Sequence, residues 1–329
     1  MEEAEKGTVC VTGGAGYIAS WLIMRLLQHG YTVRATVRSD PKFKEDTSHL
    51  VKLFGAQERL QIFDADLEKP KSFEPVINGC IGVFHLSHPM DFEGTMSTET
   101  IIKTSVQGIL GILQACLKSK TVKKVIYTSS IAAASLFDTT KNIKVIDENQ
   151  WSDAEMIRKL DFKGAAYIAS KTLTERTALE FSKEHGLNVV TILPSTIIGP
   201  FINSTLPSSF PMTLPLIFGN EEHAIYMKTG HFVHIDDVAS AQIFLFQCSK
   251  AEGRYICNRT DVTIQEIAKL LTLKYSEHLL PNDYLSTWEE EKPDHFSSKK
   301  LTELGFKFKY GLEEMIDGAL QCCQDKGIL

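Results

Sequence analysis

The chain has 329 residues, with 35 Lys and Arg against 41 Asp and Glu, a net charge of −6 and 43% hydrophobic residues. At roughly 100–200 residues per domain this is about two domains or one large α/β unit with ample core, which excludes a disordered chain. The acidic balance lacks any long basic run, so nucleic acid is not an expected partner, and no stretch nears the ~18 uninterrupted apolar residues of a membrane span.

The N-terminal residues Met1 to Gly7 have neither the basic nor the apolar region of a signal peptide. Seven scattered cysteines, an odd number, point to a reduced, metal-free protein of the cytoplasm. Short β-branched runs then alternate with longer amphipathic stretches, the rhythm of β–α units that build a parallel sheet. Strands are predicted at Thr8–Thr12, Thr32–Arg38, Leu60–Asp64, Gly82–Leu86, Val122–Thr128 and Asn188–Leu193. Helices are predicted at Tyr17–His29, Thr98–Ser119 and Ala165–His185, the last stopped by Gly186.

Pro194, Pro200, Pro207, Pro211 and Pro215 crowd the next stretch, which reads as a covering loop rather than a regular helix or central strand. A strand then helix over Phe232–Phe246, a strand at Arg254–Cys257 and helices near 263–275, 297–304 and 311–325 follow. The expected architecture is α/β: a Rossmann-type doubly wound parallel sheet over residues 1–195, rejoined by about 231–250. A smaller mixed α/β C-terminal substrate region takes 196–230 and 251–329.

The first predicted turn, Thr12, Gly13, Gly14, Ala15, Gly16, Tyr17, Ile18, places three glycines between a strand and a helix. Glycines allow a tight turn and close approach to a pyrophosphate, whose charge then rests on free helix amides; the same pattern also serves as a plain strand-to-helix turn. The second strand ends in Arg38 where NAD proteins usually carry Asp or Glu for the ribose hydroxyls. A guanidinium there, with Lys44 nearby, suits a 2′-phosphate and so NADP(H); the alternative is a solvated strand-end Arg. Asp66 and Leu67, after the third strand, lie where the adenine edge is expected.

Tyr167 and Lys171 are four residues apart, on one face of the Ala165–His185 helix. A phenol is a poor proton donor and acceptor near neutrality, and an adjacent cation is expected to lower its pKa. The strand before them ends in Ser129-Ser130, at the carboxyl edge where ligands bind in open parallel sheets. Ser130 is the candidate to hydrogen-bond a reacting carbonyl oxygen.

These groups and the glycine turn resemble the extended short-chain dehydrogenases/reductases over nearly the whole chain. The segments His85 to Phe92, Tyr127 to Ser130, Trp151 to Asp153, Phe232 to Asp237, Ala251 to Cys257 and Ser297 to Leu301 are similar to the plant dihydroflavonol reductase family. Ser39 to Lys44 and Cys322 to Gly327 look most like its vestitone reductase and noscapine synthase branch. The resemblance implies an NADP-dependent enzyme of plant specialised metabolism with Ser130, Tyr167 and Lys171 on the catalytic positions. It also puts Pro194 against the nicotinamide, Ser209 against the cofactor phosphates, and His88, Met90, Ser135 and His231 about an aromatic small-molecule substrate; Tyr226, in the loop-rich segment, either lines an aromatic-binding pocket or is ordinary packing.

The chain departs from the family at Ser135, where dihydroflavonol reductases carry Asn or Asp for the B-ring hydroxyls. His88 replaces Thr or Ser, and His231 a common Gln. These imidazoles either contact substrate oxygens, add an acid–base group, or are ordinary surface or core residues. His85/His88 and His231/His234 lack the helical context and third ligand of a metal site.

Ketone reduction, hemiacetal oxidation and double-bond reduction all remain open for these residues. A sugar-nucleotide epimerase is disfavoured because no Arg lies between Arg176 and Arg254, as is a CoA thioester substrate. An NADP(H)-sensing regulator typically lacks the Tyr or Lys kept here. A monomer or weak dimer is expected.

Overall fold

The structure, a computed structural model, describes residues 6–38, 46–89, 96–135, 145–160, 164–207, 210–213, 217, 229–275 and 293–329. Its strands are β1 Thr8–Thr12, β2 Thr32–Val37, β3 Leu60–Asp64, β4 Gly82–His85, β5 Lys124–Thr128, β6 Val145–Ile146, β7 Val189–Pro194, β8 Thr196–Ile198, β9 Thr229–His234, β10 Gly253–Cys257, β11 Thr260–Thr263 and β12 His295–Phe296. The helices longer than two turns are α1 Tyr17–Gln28, α2 Thr98–Ser119, α3 Ala165–His185, α4 Ile235–Gln247, α5 Ile264–Tyr275 and α6 Leu312–Asp325.

Seven strands make one parallel sheet in the order β10-β7-β5-β4-β1-β2-β3. β4, β5 and β7 are buried at every position, because helices cover both faces and a parallel sheet has no wet side. Alternation sorts their side chains: Val9 and Val11 pack with Leu22, Ile23, Leu26 of α1 and Val238, Leu245 of α4. Cys10, Val83, Val125 and Tyr127 meet Ile109, Ile112 and Leu113 of α2 and Phe181 of α3 on the other face.

By length and composition α2 matches a membrane-crossing helix, yet Ile101, Ile109, Ile112, Leu113 and Cys116 are buried in the core. Close packing on this face depends on Gly111, where a Cβ would overlap the Pro70 ring. Gly111→Ala is therefore expected to lower the thermal midpoint in calorimetry. Overpacking a rigid contact costs about 1–3 kcal/mol, against the roughly 1 kcal/mol by which alanine favours a helix over glycine.

The proline-rich stretch is more regular than its composition predicts. Pro194 is the last residue of β7, paired with Cys257, and its carbonyl accepts from Ile131 N at 3.1 Å. A strand's final position tolerates a missing donor, so proline ends the ladder there without interrupting it. β8 fits between Pro194 and Pro200, and a helical turn spans Phe210–Thr213.

The sheet also takes β10, which follows the stretch of about 231–250 expected to rejoin it. β8, β9 and β11 form a small second sheet. Phe201, Phe210, Phe232, Leu271, Ile316 and Leu320 make a separate apolar core between that sheet, α5 and α6. In the large sheet the order in which strands are added reverses at β1, with β2 on one side and β4 on the other, which opens a crevice at their carboxyl ends.

Candidate active site

The glycine turn sits at that crevice. Gly14 N donates to Thr36 O at 2.7 Å and Gly13 N to Thr36 Oγ1 at 3.3 Å, pinning the turn to the end of β2. Gly13 has φ of 71°, and a Cβ there would stand 3.0 Å from Ser87 Oγ. Gly16 caps α1 with no side-chain hydrogen bond, so the first-turn amides keep their capacity for an anion.

Residues 199–207 cover this turn: Tyr17 donates to Gly199 O at 3.0 Å, and Asn203 Nδ2 to Ala15 O at 2.7 Å. Ala15, Gly16, Tyr17, Asn203 and Thr205 line a groove of about 270 Å³. A turn that excludes side chains, uncapped amides and a covering strap together fit a bound pyrophosphate.

Thr12, at the end of β1, leads into the glycine turn. Its Oγ1 accepts from Leu86 N and Ser87 N, both at 3.0 Å, and lies 2.8 Å from His85 Nδ1. Having accepted two N–H groups, the hydroxyl donates its own proton to His85, which therefore carries its hydrogen on Nε2. Burial and the Lys171 charge push His85 down to about 3, so it stays neutral and serves to lock β1 to β4.

At the carboxyl ends of β5 and β7 the structure brings Ser130, Tyr167 and Lys171 together. Lys171 is buried and its Nζ donates to Thr128 O at 2.9 Å, 5.9 Å from the centre of the Tyr167 ring. Desolvation draws the ammonium down to about 7, opposed by the negative charge of Glu175. Desolvation also raises the Tyr167 phenol above its ordinary value, while a hydrogen bond with Ser130 pulls it back. The expected lowering of Tyr167 by its cation is not among the causes acting on it: desolvation of the half-buried phenol sets the direction.

His88 is set edge-on to Tyr167, ring centres 5.4 Å apart. Its Nε2 lies 3.0 Å from Ser170 Oγ, which donates to the Tyr167 carbonyl at 2.8 Å, so Nε2–H is the donor to Ser170. Burial, Lys171 and His85 hold this imidazole well below its usual value and so neutral. Ser135 ends the helical turn Ala132–Ser135; its amide donates to Ser152 Oγ and its hydroxyl to Ala132 O at 3.4 Å.

His231 is farther along the same side, Nδ1 at 2.7 Å from Asp261 Oδ1 and its ring against Phe296. Phe296 in turn packs with Ala133, Ala134 and Leu193, which links His231 to the turn after Ser130. Arg38 is exposed immediately after β2. The Asp66 carboxylate accepts from Glu68 N at 3.0 Å and shapes its own turn, and Leu67 packs on Gly108 of α2. Ile18 packs on the sheet core. Lys44, Met90, Ser209 and Tyr226 lie outside the described residues.

Among the described residues no three His, Cys, Asp or Glu side chains gather as a metal site. A wider depression of about 900 Å³ touches Leu179, Val189, Gly253 and Lys300. It lies where β7 and β10 begin, the opposite end of the sheet from Tyr167, and holds none of the groups above.

Residues 9–257 match the NAD dependent epimerase/dehydratase family. The chain belongs to that family. Within it, the plant dihydroflavonol reductase group is the match: a noscapine synthase of Papaver somniferum is 52% identical over 325 residues, covering 98% of this chain and 93% of its own. A bifunctional dihydroflavonol 4-reductase/flavanone 4-reductase of Malus domestica is 45% identical, covering 99% of this chain and 93% of its own. Among solved structures, vestitone reductase from alfalfa superposes with a TM-score of 0.86 at 43% identity, covering 98% of this chain and 100% of that one. The yeast methylglyoxal/isovaleraldehyde reductase Gre2, solved with NADPH, has a TM-score of 0.80 at 25% identity, covering 98% and 100%.

The chain is therefore an oxidoreductase of the short-chain dehydrogenase/reductase type that uses a nicotinamide dinucleotide. In this oxidoreductase several residues that shape the site had no local signal. Asn203 straps the glycine turn from 188 positions away. Glu175 and Arg254 pair beneath Ser130 across 79 positions. Each looks, in sequence, like a polar residue on a loop, a helix or a strand.

Proposed function

We propose that the chain is an NADPH-dependent carbonyl reductase that passes hydride to a ketone on a flavonoid-like or other polycyclic aromatic substrate, acting in the cytoplasm as a monomer or weak dimer. The sheet domain holds the cofactor and the region about β8, β9 and β11 the acceptor. The observation that carries this reading is the setting of Tyr167 beside the buried Lys171, whose ammonium is 5.9 Å from the centre of the phenol ring and anchored on Thr128 O, at the end of the strand that leads into Ser130.

When bound, the dihydronicotinamide supplies the hydride. The chain's residues supply the rest: Ser130 orients the ketone oxygen, and Tyr167 gives that oxygen its hydroxyl proton as charge develops there. Lys171, anchored by the Thr128 carbonyl, steadies the phenolate that results. Arg38 takes the 2′-phosphate, Gly13, Gly14, Gly16 and the start of α1 the pyrophosphate, and Pro194 borders the nicotinamide. His88 and His231 flank the acceptor.

The similarity to noscapine synthase favours a second reading, oxidation of an alkaloid hemiacetal or alcohol with NADP by the same groups in reverse. Nicotinamide absorbance separates the two. NADPH would be followed with isoflavanone, dihydroflavonol and anthocyanidin acceptors, and NADP with alkaloid hemiacetals and benzylic alcohols. Consumption of NADPH with a ketone is the expected result. Signal only with NADP moves the assignment to the dehydrogenase, and silence with tight NADPH binding moves it away from these substrates.

A further inference from the structure

Directly behind the reacting groups lies a buried ion pair that the proposed reaction does not use. Glu175 follows Lys171 by one helical turn on α3 and is 0% exposed; Arg254, second residue of β10, is 5% exposed. Arg254 Nε donates to Glu175 Oε1 at 2.9 Å, and its Nη1 to the carbonyls of Glu148 and Gln150 at 2.8 and 2.6 Å. Its Nη2 lies 3.4 Å from both Ala133 O and Glu175 Oε2, and the guanidinium carbon 3.5 Å from the centre of the Trp151 ring. The carboxylate accepts two more hydrogen bonds, from Ser129 Oγ at 2.8 Å and Thr191 Oγ1 at 2.6 Å.

Removing two charges from water is expensive, and well-packed apolar residues hold such a site as stably, so stability alone is a weak reason for this pair. What it touches gives a stronger one. Ser129 immediately precedes Ser130, and Ala133 belongs to the helical turn that immediately follows it. Ser152 reinforces the same turn, donating to Ala132 O at 2.6 Å and accepting from Ser135 N.

We propose that the Glu175–Arg254 pair is a positioning device for Ser130, gripping its turn at residue 129 through Glu175 and at residue 133 through Arg254. Because Glu175 is on α3, the grip also registers that turn against the helix carrying Tyr167 and Lys171. The inference rests on the catalytic reading of those residues given above. Neither Glu175 nor Arg254 touches the reacting atoms.

The pair has an electrostatic side. Glu175 supports the charge on Lys171, whose other titratable neighbours are His85 and His88 from β4 and the segment after it, Tyr127 of β5, and Tyr167 on its own helix.

The test uses single hydrogen bonds, so that folding survives. Ser129→Ala removes the bond to the catalytic turn, and Thr191→Val removes one to the same carboxylate from the sheet side at nearly constant volume. Both are expected to lower the thermal midpoint by similar amounts, but only Ser129→Ala to lower kcat, by about 10- to 100-fold as for a misplaced reacting group, with NADPH affinity unchanged. In Glu175→Gln the alkaline limb of the kcat profile is expected at lower pH, because Lys171 loses its counter-charge.

A Ser129→Ala enzyme within twofold of the parent in kcat, or a Thr191→Val enzyme equally impaired, would overturn the proposal. Tyr167→Phe serves as the control that separates the two levels. If it is inactive while Ser129→Ala is fully active, only the positioning role fails; if it is active, the catalytic reading and the positioning role fall together.

Discussion

Replacing Tyr167 by Phe is expected to lower turnover by about 10²- to 10⁴-fold, the usual worth of a positioned acid or base, while NADPH binds as before. The substitution removes one oxygen and keeps the ring, so the edge-on packing of His88 and the contact with Lys171 survive. What is lost is the proton that must reach the ketone oxygen as hydride arrives at carbon. Steady-state rates with a ketone acceptor, paired with a fluorescence titration of NADPH, check this. Turnover within tenfold of the parent enzyme would remove Tyr167 from the acid's role.

The second large effect is expected in cofactor choice. Gly14 N bonds Thr36 O, so the end of β2 abuts the glycine turn, and Arg38, itself exposed, comes two residues later. Hydrogen bonds to charged groups are worth about 1.5–3 kcal/mol, so Arg38→Asp is expected to weaken NADPH binding by roughly 10- to 100-fold. NADH, which has no 2′-phosphate to repel the new carboxylate, is expected to change much less. Dissociation constants for both cofactors decide the matter, and an equal loss for each would discard the 2′-phosphate assignment.

Much of the site was legible because its signals are local. Glycines 13, 14 and 16 mark a turn wherever a strand feeds a helix, and a Tyr and a Lys four apart share a helix face by the geometry of the helix alone. The alternation that sends Val9 and Val11 to one face of the sheet and Cys10 to the other is equally local. Side-chain assignments that depend on a distant partner were less legible. The Thr12 hydroxyl is held by His85, Leu86 and Ser87, partners 73 to 75 positions away. Pro194 read as the start of a loop and is the final rung of β7.

Local periodicity and turn chemistry, written in residues a few positions apart, were enough to determine a doubly wound parallel sheet, a glycine turn at its first strand and a Tyr-Lys face near its carboxyl edge. Only the tertiary structure decided how those pieces are electrically tuned and held. The Tyr167 phenol is raised rather than lowered because desolvation depends on everything packed around it, not on its nearest cation in sequence. Likewise Glu175 finds Arg254 across 79 positions, a pairing set by the register of β10 beside β7 and by the seating of α3 on the sheet. No short stretch of chain carries that information, since it arises only when the layers close over one another.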